Sequence, residues 1–441
     1  MKVLFISLGC DKNLTDTEVM LGLLSDAGYE MTNEETEADV IVINTCCFIH
    51  DAKEDTIQNI LEMANYKKEG SLKALIVTGC LAQRYRQEIR EEIPEVDAVL
   101  GTTAYDKILE TIQNALKGKA SVTMESLEVL PTVETKRQIT TGGHFAYLKI
   151  AEGCDKHCTY CIIPKIRGRF RSVPIEQLLK EAKDLAEQGV KELILVAQET
   201  TLYGKDLYGE KSLHRLLKEL CKISGIRWIR VMYCYPEEIY DELISVIKEE
   251  PKICHYLDLP IQHANDDILK RMGRKTSKQE LVNIIAKLRR EIPDICLRTT
   301  LITGFPGETQ KQHEELYRFV NEMEFDRLGV FTYSPEEDTP AAEMPDQIAE
   351  EVKEERQAEL MELQQEIAFE AAESMAGREV LVMIEGKVAD EPCYVGRTYR
   401  DAPNVDGLIF VETGEELMSG DFAKVRITGA LEYDLIGGLV E

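Results

Sequence analysis

Three closely spaced cysteines in the middle of the chain are its most specific chemical signal. Cys154, Cys158 and Cys161 have Cys-x3-Cys-x2-Cys spacing within the segment GCDKHCTYC. Thiolates at this spacing can each bind one iron of a [4Fe–4S] cluster. Because three ligands leave the fourth iron open to a small molecule, the motif indicates a reactive cluster more than a purely structural one.

A second set of three cysteines follows predicted strands. The runs KVLFIS, DVIVIN and ALIVT are apolar without alternation, as in strands buried on both faces of a parallel sheet. Cys10, Cys46 and Cys80 come shortly after these runs. Ligand sites of open α/β sheets form at the carboxyl ends of the strands, so the three thiols are predicted to share one metal site. Simple packing at strand ends is the alternative, and we interpret Cys47 that way.

The chain contains twelve cysteines but no clear export signal. No apolar stretch approaches the ~20 residues of a membrane span. The opening MKVLFISLGCDKN reads as a first strand more than as a signal peptide. We therefore predict a cytoplasmic location, where thiols stay reduced and closely spaced cysteines favour metal binding over disulfides. A zinc site with His157 as the fourth ligand of the central motif is the alternative.

The 441 residues are too many for one compact core and predict two or three domains. Helical patterns near 15–27 and 54–66 separate the first strands, which predicts a doubly wound parallel α/β domain. A linker rich in Thr and charge is predicted from about 121 to 142. Beyond it, six strand-like runs alternate with helices and predict a partial (β/α)6 barrel with its site at the carboxyl ends of the strands. These runs are AYLKIAE, ELILVA, WIRVMY, HYLDLPI, CLRTTLI and LGVFTY.

The central motif resembles that of the radical S-adenosylmethionine superfamily, which makes the barrel a radical S-adenosylmethionine barrel. With GCDKN, NTC, TGC and IIPKIRGR, the chain resembles the methylthiotransferase family nearly end to end. The resemblance implies a transferase of sulfur-containing groups with two [4Fe–4S] clusters and S-adenosylmethionine as cofactors. The cluster on Cys154, Cys158 and Cys161 would split the cofactor to give a 5′-deoxyadenosyl radical. The cluster on Cys10, Cys46 and Cys80 would deliver sulfur, and an electron donor is implied as a partner.

The resemblance also suggests residues that bind the cofactor. Tyr160 would line the adenine site, and Gln198 and Glu199 would contact the amino acid part. Gly304 and Glu308, in the turn GFPGE, would shape the adenosine pocket. Ordinary loop packing and a simple turn are the alternatives for Tyr160 and for the turn. No catalytic acid or base is assigned.

The last part of the chain changes character. Residues 347–375 predict one long charged helix that ends near Gly377. Short strand-like runs separated by Gly, Asp and Asn turns follow, and they predict a small antiparallel β-barrel. This part resembles the TRAM domain found at the same place in methylthiotransferases. The predicted domains are 1–117 (methylthiotransferase amino-terminal domain), 140–370 (radical S-adenosylmethionine core) and 373–441 (TRAM domain).

Charge favours one of the two branches of this family. One branch modifies an adenosine of transfer RNA, and the other inserts a methylthio group at the β-carbon of an aspartate in small-subunit ribosomal protein twelve. The chain has a formal net charge of −28, and residues 378–441 carry six basic and thirteen acidic residues. An RNA-binding barrel should be basic, whereas an acidic one suits a basic ribosomal protein. We therefore predict the ribosomal-protein branch, and CDKNL and QETTLYG agree with it.

Some alternatives remain open. Many members of that branch have Pro at the position of Asp11 and Gly at that of Cys47, but neither position supplies a required thiolate. A transfer-RNA methylthiotransferase, a non-catalytic iron–sulfur scaffold, and acidity that serves only solubility are the competing interpretations.

Overall fold

The computed structural model describes residues 1–131, 133 and 136–440. Thr132, Glu134 and Thr135 of the predicted linker, and Glu441 of the predicted last domain, lie outside the described residues. The predicted order of a doubly wound domain, an open α/β barrel and a small β-barrel is confirmed. The residue limits of the three domains stay predictions.

The amino-terminal sheet has six parallel strands in the order β2-β1-β3-β4-β5-β6. Every residue of β3 and β4 is buried, which explains why their sequences do not alternate. The strands are β1 Lys2–Ser7, β2 Glu30–Met31, β3 Val40–Thr45, β4 Ala74–Gly79, β5 Ala98–Leu100 and β6 Ser121–Thr123. The helices are α1 Asp11–Asp26, α2 His50–Glu69, α3 Cys80–Glu92 and α4 Ile108–Ala115.

The predicted linker is wrong at its start, because β6 pairs with β5 as the last strand of this sheet. Its three residues include a single large apolar side chain, so the sequence carries no strand pattern. An edge strand needs only backbone hydrogen bonds to its neighbour, and those bonds do not depend on side-chain type.

The central sheet has six parallel strands in the order β14-β13-β12-β11-β10-β7, as predicted for a partial barrel. The predicted strand over 146–152 divides in two, because β8 leaves the sheet and pairs antiparallel with β9. The strands are β7 Phe145–Lys149, β8 Ala151–Glu152, β9 Arg171–Ser172, β10 Glu192–Val196, β11 Trp228–Val231, β12 Ile253–Asp258, β13 Cys296–Thr303 and β14 Arg327–Thr332. The helices are α5 Ile163–Arg167, α6 Ile175–Glu187, α7 Lys205–Tyr208, α8 Leu213–Cys221, α9 Asp241–Glu249, α10 Asp266–Arg271, α11 Lys278–Glu291 and α12 Gln310–Met323.

A long helix, α13 Glu350–Glu373, leads to a closed five-stranded barrel in the order β15-β16-β17-β19-β18. The prediction of an antiparallel barrel holds for all pairs except β17 and β19, which are parallel. A ring with an odd number of strands cannot alternate direction throughout, so one parallel pair is required. The strands are β15 Glu379–Lys387, β16 Cys393–Thr398, β17 Ile409–Glu412, β18 Phe422–Leu431 and β19 Asp434–Leu439.

The small barrel packs against the amino-terminal ends of the central strands. Glu192, the first residue of β10, accepts hydrogen bonds from Arg230 at 2.8 Å and from Arg397 of the small barrel at 2.7 Å. The Trp228 and Phe422 rings meet edge to face with centroids 4.9 Å apart. The predicted site lies at the opposite, carboxyl ends of the same strands. Among the described residues, no helix combines the length and the apolarity that a bilayer crossing needs.

Candidate metal centres

The first cysteine trio lies at the carboxyl ends of three neighbouring strands, β1, β3 and β4. Cys10 immediately precedes α1, Cys46 follows β3, and Cys80 begins α3. Gly9 has a φ of +92°, and a side chain there would stand 2.8 Å from the Cβ of Cys46. This left-handed turn therefore lets the Cys10 segment approach Cys46, as only glycine readily permits.

The three thiols influence one another electrostatically. Burial raises the pKa of Cys80 to about 12, and Cys10 and Cys46 add to the rise while Arg167 opposes it. Burial also raises the pKa of Cys46, and the neighbouring Cys10 again contributes. The strand ends therefore bring the predicted thiols together. The raised pKa values of Cys46 and Cys80 favour the protonated thiols. A bound metal cation would favour the thiolates instead, because thiols that coordinate a metal are deprotonated.

The side chain of Asn13 forms hydrogen bonds with the segments at the ends of two of these strands, β1 and β3. It is fully buried, and its side-chain amide donates to the Leu8 carbonyl at 3.0 Å and to the Thr45 carbonyl at 2.9 Å. Its side-chain oxygen lies 3.7 Å from the Cys80 sulfur. One side chain thus fixes the segments before Cys10 and Cys46 relative to Cys80. Cys47 is buried in the domain core, which agrees with its interpretation as a packing residue.

The second trio lies on the loop after β8. Burial raises the pKa of Cys154 to about 11 and that of Cys161 to about 12, and Cys158 contributes to both shifts. Thr159 fixes the loop through hydrogen bonds to the carbonyls of Met272 and Arg271, at 2.9 and 2.8 Å. The three predicted thiols are therefore held together at the carboxyl ends of the barrel strands.

A zinc site on the second trio would need His157 as its fourth ligand. Within the described ranges, no three His, Cys, Asp or Glu side chains are arranged to hold one metal ion. A zinc ion needs four convergent ligands, and His157 is exposed on the loop.

Two oppositely charged side chains beside the second trio keep unused polar atoms. Arg274 is buried with its Nε and Nη1 unpaired among the described residues, and its guanidinium lies 4.2 Å from the Tyr235 ring centroid. Glu199 is fully buried, and its Oε2 has no hydrogen-bond partner in the described part of the chain. Burial raises the pKa of Glu199 to about 7. The charge of Glu199 in turn contributes to the raised pKa of Cys154. Unpaired buried polar groups of both signs are costly unless a ligand satisfies them.

Known proteins resemble this chain over its whole length. The ribosomal protein uS12 methylthiotransferase RimO of Lachnoclostridium phytofermentans is 68% identical over 437 residues, covering 99% of both chains. RimO of Clostridioides difficile is 50% identical and covers 100% of this chain and 99% of its own length. The chain belongs to the RimO family. The predicted resemblance to methylthiotransferases, which are transferases of sulfur-containing groups, is thereby confirmed.

Family models divide this RimO-family chain as the fold does. Residues 2–101 match the uncharacterized protein family UPF0004, residues 148–320 the radical SAM superfamily, and residues 376–440 the TRAM domain. Among solved structures, the radical S-adenosylmethionine methyltransferase TsrM from Kitasatospora setae covers 89% of this chain and 79% of its own, with a TM-score of 0.53 and 13% identity. The cobalamin-dependent radical enzyme OxsB covers 82% of this chain and 56% of its own, with a TM-score of 0.52 and 14% identity. These two similarities show the fold alone.

An iron–sulfur cluster and S-adenosylmethionine are the cofactors of the radical S-adenosylmethionine superfamily, and the site of this RimO-family chain fits them. Three thiols suit a cluster with one open iron. The polar atoms of Arg274 and Glu199 that lack hydrogen bonds among the described residues suit the carboxylate and ammonium of an amino acid. Arg274 could not be predicted from the sequence, because it follows a short helix and no motif marks it.

The other predicted cofactor residues have protein partners. Gln198 accepts a hydrogen bond from the Gly153 amide at 2.9 Å and donates to Glu152 at 2.7 Å. Glu308 accepts from the amides of Gly304 and Phe305, at 2.8 and 3.2 Å. Tyr160 packs against the hydrophobic cluster that contains Phe305, so the predicted adenine residue and the predicted adenosine turn are neighbours. Their cofactor roles stay predictions.

Arg167 connects the two trios and is one of four residues, Lys165, Arg167, Arg169 and Arg171, that form a basic run in the sequence. It is almost fully buried, and it donates to the Cys80 sulfur at 3.4 Å, to Asp16 at 3.0 Å and to Glu152 at 3.1 Å. Glu152 is joined through Gln198 to Gly153, the residue before Cys154. A continuous polar chain therefore links the ligand loops of the two domains, and Arg167 pairs with the protein's own carboxylates.

Replacing Arg167 with Met should destabilise the contact between the two domains. Two buried carboxylates, Asp16 and Glu152, would then share a single cationic partner, Lys149. Removing one member of such a buried network costs about 3–5 kcal/mol. Urea unfolding of the anaerobic, reconstituted protein should show this loss, and Lys165→Met, at an exposed position of the same helix, should leave the transition unchanged. An Arg167→Met transition at the wild-type urea concentration would contradict the structural role.

Proposed function

We propose that the protein inserts a methylthio group at the β-carbon of an aspartate in ribosomal protein uS12. The observation that carries the proposal is the occurrence of two thiol trios in a chain that matches named uS12 methylthiotransferases from end to end. Insertion into an unactivated C–H bond needs both a means of removing hydrogen and a source of sulfur. Two separate metal centres can each supply one of these functions, whereas a single centre would have to supply both.

The two trios divide the work. Cys154, Cys158 and Cys161 would hold a [4Fe–4S] cluster with one open iron, and Cys10, Cys46 and Cys80 a second cluster. When bound, these clusters and S-adenosylmethionine supply the electron, the hydrogen-abstracting radical, the sulfur and the methyl group. The protein's own residues bind, orient and enclose these groups.

Side chains at the carboxyl ends of the barrel strands would orient the cofactor. The unpaired nitrogens of Arg274 suit its carboxylate, because a guanidinium binds a carboxylate through paired hydrogen bonds. Glu199 would accept hydrogen bonds from its ammonium. Tyr160 would line the adenine, and Gly304 and Glu308 would shape the pocket for the adenosine. Gln198 would act through Gly153, which it holds next to Cys154.

The acidic small barrel supports a basic protein partner. Asp390, Glu391, Glu415 and Glu416 are all exposed on its turns. Its basic residues are largely engaged, since Arg397 pairs with Glu192 in the domain contact and others pair with acidic neighbours. Among the described residues of the barrel, exposed acidic side chains still outnumber exposed basic ones. Such a surface attracts a basic ribosomal protein and repels a phosphate backbone.

Reversing this charge should weaken substrate capture. Changing Asp390, Glu391, Glu415 and Glu416 to Lys should raise the Kd for uS12 about tenfold at low salt and flatten its salt dependence. Fluorescence anisotropy with labelled uS12 at two ionic strengths measures both effects. The control is Glu91→Lys with Glu92→Lys, two exposed acidic positions on the amino-terminal domain. Equal affinity of the barrel variant and the wild type would contradict a docking role for this surface.

The proposed substrate can be tested in cells that lack this protein. Mass analysis of uS12 and of transfer RNA from the same cells should show that uS12 alone loses its methylthio group, and that the wild-type chain restores it. Loss of the group from transfer RNA instead would favour the other branch of the family. The electron donor, the cytoplasmic location and the exclusion of transfer RNA stay predictions.

A further inference from the structure

Lys12 occupies an unfavourable place for a cation. It lies in the first turn of α1, where the helix dipole disfavours positive charge, and it is only 6% exposed. Buried ammonium groups usually have an anionic partner. A lysine at such a position needs a compensating interaction, either within the protein or with a ligand.

The protein offers Lys12 an aromatic face. Its ammonium lies 3.4 Å from the centroid of the Tyr233 ring. The nearby carboxylate of Asp11 instead accepts the Tyr233 hydroxyl at 3.0 Å. Over the described ranges, no carboxylate forms a salt bridge with Lys12. The contact with Tyr233 leaves the ammonium able to donate hydrogen bonds to an incoming anion, because a cation–π contact does not use its protons.

Tyr233 is held in place for this contact. Its φ is +58°, an uncommon conformation for a residue other than glycine. Its amide donates to Asp258 at 3.0 Å and its hydroxyl is fixed by Asp11. Strain of this kind persists only where surrounding contacts enforce it, and such sites are often functional.

Lys12 lies near the first trio in the chain and contacts a segment that also reaches the second trio. Lys12 is two residues after Cys10, while Tyr233 follows the carboxyl end of β11. Tyr235, two residues farther on, has its hydroxyl 3.8 Å from the Cys158 sulfur. One short segment therefore contacts both Lys12, beside the first trio, and a ligand of the second.

We propose that Lys12 binds the side-chain carboxylate of the substrate aspartate and so holds its β-carbon between the two trios. This inference rests on the proposed function, because a carbon that loses hydrogen at one centre and gains sulfur from the other must lie between them. An ammonium at that place recognises a carboxylate and discriminates against the neutral amide. Lys12 is thus a specificity-determining residue.

A double substitution cycle tests the proposal by binding. The probes are labelled uS12 and its Asp→Asn variant at the modified residue, titrated anaerobically into reconstituted enzyme without S-adenosylmethionine. Wild-type enzyme should bind the aspartate form about tenfold more tightly than the asparagine form, because a charge-assisted hydrogen bond is lost. Lys12→Met and Lys12→Gln should bind both forms within about twofold of each other, near the wild-type affinity for asparagine. Lys73→Met, a lysine paired with Asp39 outside this region, should keep the wild-type preference.

The outcomes separate recognition from a structural role. Iron content and the electron paramagnetic resonance spectrum of the reduced clusters should match the wild type in both Lys12 variants. A Lys12 variant that keeps the tenfold preference overturns the proposal. Loss of iron, or equal weakening of both uS12 forms, also overturns it and assigns Lys12 to balancing the charge of the centre. If wild-type enzyme shows no preference, Lys12 recognition fails, while mass analysis of cellular uS12 decides the proposed function independently.

Discussion

Cys154→Ala is expected to abolish formation of 5′-deoxyadenosine from S-adenosylmethionine. The Cys154 thiol is buried and is one of the three proposed cluster ligands on the loop after β8. A cluster that loses one of three protein ligands is no longer held at the cofactor site, so the rate should fall by more than about a hundredfold. Chromatography of the dithionite-reduced enzyme measures the product, and iron should fall from about eight to about four per chain.

The control for this variant is Cys221→Ala. Cys221 ends α8 and belongs to neither trio, so both the iron content and 5′-deoxyadenosine formation should match the wild type. A folded Cys154→Ala protein that forms 5′-deoxyadenosine at the wild-type rate would exclude the central trio as the ligand set.

Cys10→Ala is expected to separate the two activities. It should still form 5′-deoxyadenosine, because the central trio is untouched, but it should form no methylthio product on uS12. The thiol lies at the carboxyl end of the amino-terminal sheet, where its loss would leave only two protein ligands for the proposed sulfur-delivering cluster. Chromatography for 5′-deoxyadenosine and mass spectrometry of uS12 from the same anaerobic reaction measure both outcomes.

Cys47→Ala is the matched control, because Cys47 adjoins Cys46 but points into the domain core. It should keep both activities and lose only some stability from the small cavity. A well-folded Cys10→Ala variant that loses both activities would contradict the division of work between the trios.

The sequence predicted the cysteine trios because their signals are local. Cys154, Cys158 and Cys161 share one loop, and the other three follow strands whose unbroken apolar runs mark their ends. The rule that parallel strands end at one edge of a sheet then brings Cys10, Cys46 and Cys80 together. No long-range information was needed for either step.

The residues around the trios could not be predicted in the same way. Arg167 meets Asp16 and Cys80 only after two domains have docked, and Arg274 reaches Tyr235 across a turn of the barrel. Their sequence neighbourhoods look like ordinary charged segments. Two features become visible only in three dimensions: within the described residues, buried Arg274 keeps nitrogens without a hydrogen bond, and buried Lys12 has no salt bridge.

The way the small barrel docks on the central domain also could not be predicted from the sequence. Its acidic balance could be counted, but Glu192, Arg230 and Arg397 are widely separated in the chain and combine into one buried ion-pair network. Such pairs depend on the packing of whole domains. The acidic balance of the barrel surface persists after docking, because its exposed acidic residues outnumber its exposed basic ones among the described residues.

Mass spectrometry of purified uS12 tests the central claim most directly. Unmodified uS12 should be incubated anaerobically with reconstituted protein, S-adenosylmethionine and dithionite, alongside an equal amount of unmodified transfer RNA. The account predicts a mass increase of one methylthio group on a single aspartate of uS12 and no change in the RNA. A modified adenosine with unaltered uS12, or 5′-deoxyadenosine formed without modification of either, would contradict it.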